Sequence, residues 1–290
     1  MSCEPVPGIQ GPVAVLGAGT MGRGIAHVAA LAGFETRLFD VAAQILDEAL
    51  ETVRANLDKG VELGKIEPTQ RDEALDRLSS TTVLAEAVDG VDLVIEAVPE
   101  RLELKQSLLR DVADIVEAGT IIASNTSSLS ITALAAAVEG AERVVGLHFF
   151  NPVHIMALIE VVRGERTTER VAEQARQFAE ALGKTPIVVR DSPGFASSRL
   201  GIALGLEAIR MVEESVASPE DIDQAMVLGY RHPMGPLRLT DVVGLDVRLE
   251  IAQYLYRELG SERFRPPELL ERMVEEGKLG KKTGGGFYDW

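Results

Sequence analysis

The sequence of 290 residues predicts an α/β fold, a doubly wound parallel sheet followed by an all-helical domain. Two observations support this. Short apolar stretches alternate with helical patterns as far as Val189, which is typical of a parallel sheet covered by helices. Beyond Asp191 the stretches of strand length stop and helical patterns remain. We therefore expect one domain over residues 1–190 and a second over residues 191–290.

Composition narrows the protein class. The chain is 46% hydrophobic and 26% charged, as in soluble globular proteins. No apolar run approaches the ~20 residues of a membrane span, and no basic and apolar leader is present, so we expect a cytoplasmic protein. Cys3 is the one cysteine, which excludes an internal disulfide and a cysteine metal cluster, and we expect no metal. A net charge of −16 argues against nucleic-acid binding.

The first predicted strand, Pro12 to Leu16, leads directly into a glycine-rich turn, Gly17-Ala-Gly-Thr-Met-Gly22. An alanine-rich helical pattern follows from Thr20 to Leu31, and a second strand from Glu35 to Phe39. This order of strand, glycine turn, helix and strand is typical of a Rossmann-like dinucleotide-binding domain. The alternative is a doubly wound fold that binds no nucleotide.

Each glycine of the turn has a physical reason. Gly17 permits the tight turn, Gly19 lets the backbone approach a pyrophosphate, and Gly22 lets the helix pack closely on the strand. The pyrophosphate would rest on the helix N-terminus at Thr20 and Met21, where unpaired N–H groups and the helix dipole favour an anion.

Asp40 follows the second strand and lies 18 residues (40 minus 22) beyond Gly22. An acid about 20 residues after the turn binds the adenosine ribose in dinucleotide domains. Its carboxylate would accept a hydrogen bond from a 2′-hydroxyl and repel a 2′-phosphate. The expected cofactor is therefore NAD rather than NADP.

A polar helical insertion, about residues 42–78, separates the second strand from the next ones. It contains helical patterns from Ala42 to Leu63 and from Thr69 to Leu78. The following strands are predicted at Val91–Ile95 and Thr120–Ala123, on either side of a helix from Leu102 to Val116. The second of these strands runs into a polar cluster, Ser124-Asn-Thr-Ser-Ser128, at the sheet edge where such folds bind ligands.

The stretch from Leu147 to Val162 contains the candidate catalytic groups. His148 ends an apolar strand that begins at Arg143, and Asn151-Pro152 predicts a turn. The next apolar run, Ala157 to Val162, contains one charge, Glu160, which would be costly to bury without a partner. A carboxylate that binds one imidazole nitrogen leaves the other to accept a proton, as in a general base with its orienting acid. The alternative is a core histidine bonded to a backbone carbonyl, with an unrelated edge glutamate.

The remaining elements follow the proposed boundary. A helix from Thr168 to Leu182 and a strand from Pro186 to Val189 complete the first domain. Helices are then predicted from a Ser192 cap to about Glu214, after a Ser218 cap, from Thr240 to Leu259, and from Pro267 to Glu276. The final glycine-rich loop, Lys281 to Tyr288, carries two aromatics expected to pack back onto the protein.

Several motifs in order resemble the L-3-hydroxyacyl-CoA dehydrogenases, and more narrowly the bacterial 3-hydroxybutyryl-CoA members of that family. Almost the whole chain is covered. The motifs are Gly17 to Gly22, Ile95-Glu-Ala-Val-Pro-Glu100, Ser124 to Ser128, Leu147-His-Phe-Phe-Asn-Pro152, Asp191-Ser-Pro-Gly-Phe195, Pro233-Met-Gly-Pro236, Gly244-Leu-Asp246 and Gly280-Lys-Lys-Thr-Gly284.

The resemblance implies an oxidoreductase that interconverts a 3-hydroxyacyl-CoA and a 3-ketoacyl-CoA with NAD, in fatty-acid or butanoate metabolism. It implies that His148 is the catalytic histidine, Glu160 its partner, and Ser127 a serine between substrate and nicotinamide. It also implies a homodimer formed through the helical domain. The expected NAD-site residues outside the turn and Asp40 are Glu100, Lys105, Asn125, Ser127, Asn151 and Lys282, and the expected CoA contacts are Asn56 and Lys59.

One position departs from the family pattern. Where the family often has an active-site asparagine, after Pro-Gly-Phe, this chain has Ser198. Serine can still donate one hydrogen bond, but it has a shorter reach and no amide carbonyl, and a bridging water could make up the difference. Two alternatives therefore stay open: a dehydrogenase of a CoA-free 3-hydroxy acid of the carnitine or gulonate type, and a non-catalytic NADH-binding protein.

Overall fold

In the computed structural model, which describes residues 6–290, a single sheet organises the first part of the chain. Its strand order is β3-β2-β1-β4-β5-β6-β7-β8. All neighbours are parallel except β6 and β7, which are antiparallel. The strands are β1 Val13–Leu16, β2 Thr36–Phe39, β3 Leu78–Thr81, β4 Leu93–Glu96, β5 Ile121–Ser124, β6 Val144–Phe149, β7 Leu158–Arg163 and β8 Thr185–Arg190.

The described residues divide into two compact units, one ending at Ser192 and the other beginning at Pro193. In the first unit, helices connect and cover the strands: α1 Thr20–Leu31, α2 Ala43–Glu62, α3 Pro68–Asp76, α4 Leu84–Val88, α5 Leu102–Ile115, α6 Ile131–Ala135 and α7 Glu169–Ala181. Strands β1, β4 and β5 are fully buried. They therefore read as continuous apolar runs, as expected for a parallel sheet covered on both faces. The predicted Rossmann-like α/β fold is confirmed.

The strand at one edge of the sheet was not predicted. The helix expected to reach Leu78 ends at Asp76, and Leu78–Thr81 pairs with Thr36–Phe39 as β3. Residues Ser79 and Ser80 are exposed, because β3 is the outermost strand. A polar edge strand lacks the apolar run by which the inner strands are recognised.

The second unit is helical, with α8 Ser197–Glu213, α9 Pro219–Tyr230, α10 Pro236–Val243, α11 Leu245–Leu259 and α12 Glu268–Glu275. Its buried core includes Ile202, Ile209, Leu237, Leu255 and Phe264. No helix in the described part of the chain has the length and apolar character needed to cross a membrane.

Two helix boundaries in this unit differ from the prediction. The first helix begins at Ser197 rather than after a Ser192 cap, because Gly194 and Phe195 adopt left-handed backbone angles with φ of 75° and 47°. The single helix predicted from Thr240 to Leu259 is two helices. Gly244, with φ of 105°, ends α10 and precedes α11.

The terminal aromatics pack back onto the second unit, as predicted. The backbone N–H groups of Phe287 and Tyr288 donate to the buried Asp241, at 2.9 Å each. The hydroxyl of Tyr288 donates to the buried Asp223 at 2.7 Å.

Candidate active site

The glycine turn between β1 and α1 forms a shallow cradle. Gly17 has φ of 101°, and a Cβ on Gly22 would lie 1.7 Å from the carbonyl oxygen of Gly17, so both positions require glycine. A Cβ on Gly19 would meet no described atom within 4 Å, so the space over the turn is open. No side chain caps the N-terminus of α1, which begins at Thr20. These residues fit a dinucleotide pyrophosphate, because the open space at Gly19 adjoins the N-terminus of α1, where the first N–H groups of a helix have no partner within the helix.

Asp40 stands beside this cradle at the end of β2. Its carboxylate accepts hydrogen bonds from the backbone N–H of Ala18 at 2.9 Å and of Ala42 at 3.2 Å. These two bonds fix the carboxylate next to the glycine turn. The position is compatible with the predicted ribose contact, and that role stays a prediction.

A buried acid that the sequence analysis missed lies at the end of β4. Glu96 is fully buried and accepts hydrogen bonds from Lys105 Nζ at 2.6 Å, Ser124 Oγ at 2.6 Å and Val98 N at 2.7 Å. Burial raises the pKa of Glu96 above its usual value, although Lys105 opposes the rise. The signal was present, since Glu96 is a lone acid at the end of an apolar strand.

Lys105 connects this acid to a second one. Its ammonium donates to Glu96, to the Val98 carbonyl at 3.0 Å, and lies 3.2 Å from Glu100. An ammonium has three hydrogens, so these three oxygens can accept all of them. The position of Lys105 therefore fits a role in fixing Glu100 more than a direct hydrogen bond to a cofactor.

Glu100 organises the polar cluster that follows β5. Its Oε1 accepts hydrogen bonds from Thr126 Oγ1 at 2.5 Å, Ser127 N at 3.0 Å and Ser128 N at 3.2 Å. Burial alone would raise the pKa of Glu100, but Lys105 and these donors together hold it below its usual value. The loop that carries Ser127 is thus held by an ionised carboxylate.

His148 and Glu160 face each other on β6 and β7. They are direct partners in the antiparallel register, and His148 Nδ1 lies 2.7 Å from Glu160 Oε2. Glu160 is fully buried and His148 is 6% exposed. An ionised carboxylate only accepts hydrogen bonds, so pairing with an ionised Glu160 would place the hydrogen on Nδ1 and leave Nε2 as the proton acceptor. Phe150, which was not predicted, packs against the imidazole with ring centroids 4.4 Å apart.

A cleft of about 360 Å³ brings seven of the predicted site residues of the first unit together. Its lining includes predicted cofactor and catalytic residues from the glycine turn, the polar cluster and the strand ends: Met21, Glu100, Lys105, Asn125, Ser127, His148 and Asn151. Asn125 is fixed there by accepting a hydrogen bond from Phe149 N at 2.9 Å. The cleft can therefore place a proton acceptor, a serine and an amide beside the glycine turn.

Ten predicted residues are not part of this lining: Gly17, Gly19, Thr20, Gly22, Asp40 and Glu160, which lie at the glycine turn, after β2 and on β7, and Asn56, Lys59, Ser198 and Lys282. Asn56 and Lys59 lie on α2, and Lys59 pairs with Glu62 at 2.8 Å. In the second unit, Ser198 lies in the first turn of α8, and Lys282 forms an ion pair with Asp246 at 2.5 Å. Their predicted contacts to CoA, substrate and NAD stay predictions. In residues 6–290, no group of three His, Cys, Asp or Glu side chains could hold a metal ion.

Comparisons with known proteins identify the same enzyme family along almost the whole chain. Residues 12–192 match the NAD-binding domain of 3-hydroxyacyl-CoA dehydrogenase, and residues 194–290 match its C-terminal domain. A probable 3-hydroxybutyryl-CoA dehydrogenase of Bacillus subtilis is 44% identical over 278 residues, which cover 96% of each chain.

Solved structures give the same result. The (S)-3-hydroxybutyryl-CoA dehydrogenase PaaH1 of Ralstonia eutropha superposes with a TM-score of 0.94 at 40% identity, covering 97% of this chain and 99% of that one. FadB2 of M. tuberculosis superposes with a TM-score of 0.91 at 44% identity, with the same coverage. Both domains of this chain therefore belong to the 3-hydroxyacyl-CoA dehydrogenase family.

Proposed function

We propose that this protein is an NAD-dependent dehydrogenase that interconverts (S)-3-hydroxyacyl-CoA and 3-ketoacyl-CoA, with the four-carbon 3-hydroxybutyryl group as the expected acyl chain. The observation that carries the proposal is the His148–Glu160 pair in a cleft that also contains Ser127 and Met21. Family membership supports the reaction class, and the cleft supplies the groups that the reaction needs.

In the proposed mechanism, His148 Nε2 accepts the proton of the substrate 3-hydroxyl. Glu160 holds the ring by Nδ1 and stabilises the imidazolium that forms, because a carboxylate 2.7 Å away favours the cation. In the reverse direction the same nitrogen returns the proton to the carbonyl oxygen. A positioned acid–base group of this kind supplies ~10² to 10⁴ in rate.

Ser127 is proposed to donate a hydrogen bond to the reacting oxygen. Its loop is held by Glu100, so the hydroxyl can be presented at a fixed place in the cleft. When bound, NAD supplies the hydride acceptor. The residues proposed to hold it are the glycine turn, Asp40, Glu100, Asn125 and Asn151, with Lys105 fixing Glu100.

Asn56 and Lys59 are the proposed contacts for CoA. They are three residues apart on α2, so their side chains lie on neighbouring positions of one helix face. Lys59 is largely exposed and could exchange Glu62 for a phosphate. Ser198 is the proposed contact in the second unit for the acyl group.

A homodimer formed through the second unit is also proposed, in the cytoplasm. The support is a set of exposed apolar side chains in that unit, Leu200, Leu228 and Tyr230, which are 71%, 75% and 75% exposed. Light scattering after size exclusion would test the dimer, and a monomer at all concentrations would contradict it.

The reaction is tested by the ultraviolet absorbance of NADH with acetoacetyl-CoA as substrate. Turnover of the CoA ester is the expected result. Turnover of free 3-keto acids without turnover of CoA esters would instead indicate the CoA-free dehydrogenase. NADH binding without turnover of either class would indicate a non-catalytic protein.

A further inference from the structure

Glu96 is connected to the loop of Ser127 through Lys105. The ammonium of Lys105 lies 2.6 Å from Glu96 Oε1 and 3.2 Å from Glu100 Oε2. Glu100 Oε1 in turn accepts a hydrogen bond from the backbone N–H of Ser127 at 3.0 Å. Glu96 and Lys105 are 0% and 1% exposed, so water does not compete for the contact between them. The position of Lys105, and with it that of Glu100, therefore depends on Glu96.

A second series of hydrogen bonds connects Glu96 to the same loop through Ser124. The Ser124 hydroxyl donates to Glu96 Oε2 at 2.6 Å, and its oxygen accepts from the backbone N–H of Thr126 at 3.3 Å. The Thr126 hydroxyl then donates to Glu100 Oε1 at 2.5 Å. The two series thus meet at Glu100, and the side chains between it and Glu96 are all buried.

The direction of these bonds requires a carboxylate at residue 96. Its two oxygens only accept, from Lys105 Nζ, Val98 N and Ser124 Oγ. An amide with its NH₂ group at the place of Oε2 would donate to the Ser124 oxygen and leave the hydroxyl hydrogen without its acceptor. An amide turned the other way would direct its NH₂ group at two donors, the ammonium of Lys105 and the N–H of Val98. No orientation of a glutamine therefore reproduces the bonds of Glu96.

Glu96 does not contact the cleft directly, since it has no exposed surface and is outside the cleft lining. We propose that Glu96 is a positioning residue, which holds the Ser127 hydroxyl at the place where it donates to the reacting oxygen. This role rests on the proposed function, in which Ser127 is that donor. A displacement of about 1 Å in the reacting geometry can cost about a hundredfold in rate, so a buried acid can affect the reaction without touching the substrate.

The test combines Glu96→Gln and Ser127→Ala in a double-mutant cycle, with acetoacetyl-CoA and NADH as substrates. Glu96→Gln should lower kcat about tenfold, and by no more than Ser127→Ala does, because its effect passes through the Ser127 hydroxyl. In the Ser127→Ala background, Glu96→Gln should change kcat by less than about twofold. Glu86→Gln is the matched control, because its exposed carboxylate on α4 accepts a hydrogen bond from Thr81 Oγ1 at 2.7 Å, and its kcat should equal that of the wild type.

Ser124→Ala is a second variant, because it removes one series of bonds and leaves the Glu96–Lys105 pair in place. Its kcat should fall by less than that of Glu96→Gln, and this loss should also disappear in the Ser127→Ala background. If Glu96→Gln does not fold, the cycle of Ser124→Ala with Ser127→Ala decides in the same way.

Equal losses of kcat with and without the Ser127 hydroxyl would mean that Glu96 acts on the structure in general, and would overturn its role as a positioning residue. Wild-type turnover in the same assay would leave the proposed dehydrogenase intact. A Ser127→Ala variant with the kcat of the wild type would also overturn the role, because no donor would remain for Glu96 to position. Absence of wild-type turnover would overturn the proposed function, and the role of Glu96 with it.

Discussion

Glu160 lies directly across the β6–β7 pair from His148, and its Oε2 is 2.7 Å from the imidazole Nδ1. The carboxylate has no exposed surface, so water cannot replace this contact. The buried carboxylate of Glu160 therefore holds the imidazole of His148 in one orientation.

Replacing His148 with Gln should lower kcat by about 10² to 10⁴, since the variant has no group that accepts a proton near neutral pH. The binding of NADH, measured by fluorescence titration, should stay close to that of the wild type. His232→Gln is the control, because His232 lies beyond α9 in the second unit and is outside the cleft lining. Turnover near the wild-type rate in His148→Gln would refute the assignment.

Glu160→Gln should keep the fold and lower kcat. An amide that donates to Nδ1 would favour the wrong tautomer of His148, and such a change costs up to about 10⁴ in kcat. Steady-state kinetics should show the loss in kcat with little change in KM. A loss that appears in KM alone would argue that Glu160 only shapes the cleft.

Lys105→Met should destabilise the first unit, because it leaves Glu96 as an unpaired acid in the core. Breaking a buried pair in this way costs about 3–5 kcal/mol in the free energy of unfolding. The double variant Lys105→Met with Glu96→Gln should recover part of the loss in urea unfolding. Lys59→Met breaks the exposed pair with Glu62 and should cost at most about 1 kcal/mol. If Lys105→Met and Lys59→Met lowered the free energy of unfolding equally, burial would not be the reason for the cost of breaking the Glu96–Lys105 pair.

Asp40→Asn should weaken the preference for NAD. The change removes the negative charge that would repel a 2′-phosphate, and it weakens the hydrogen bond to the ribose hydroxyl. The ratio of kcat/KM for NAD to that for NADP should fall by about tenfold to hundredfold. An unchanged ratio would mean that a group other than Asp40 discriminates between NAD and NADP.

The stability of the first unit should fall as the solution is acidified below neutral pH. His27 on α1 is buried and stacks on His154 with ring centroids 5.6 Å apart. Burial, then the charges of His154 and Lys184, lower the pKa of His27 from 6.5 to about 4. Because the folded state has the lower pKa, the contribution is complete above pH 6.5, is lost between 6.5 and about 4, and is constant below that.

The expected loss from His27 is about 2 kcal/mol between neutral pH and about pH 5. Urea unfolding at several pH values measures it, with His27→Leu as the variant that should reduce this slope. His232→Gln should keep the slope of the wild type. A slope that is equal in the wild type and His27→Leu would exclude His27 as its source.

Sequence patterns predicted the order of elements, the glycine turn and the His148–Glu160 contact, because each depends on local spacing or on one charge in an apolar run. They failed at β3, where an edge strand is polar, and at Ser197, where the turn before the helix depends on left-handed Gly194 and Phe195. The Glu96–Lys105 pair was missed even though Glu96 ends an apolar strand. The burial of Arg248 on α11 could not have been predicted, because helical periodicity does not show which arginine of a helix is enclosed.

The antiparallel pairing of β6 and β7 makes the His148–Glu160 contact sensitive to the spacing of residues within a strand. Side chains alternate between the two faces of a sheet, so one residue inserted into β7 ahead of Glu160 would point its carboxylate to the opposite face. Length changes in the part of the connection that follows Asn151, residues 152–157, need not have this effect. Redesign of this enzyme should therefore vary that connection and leave the residue count of β7 unchanged.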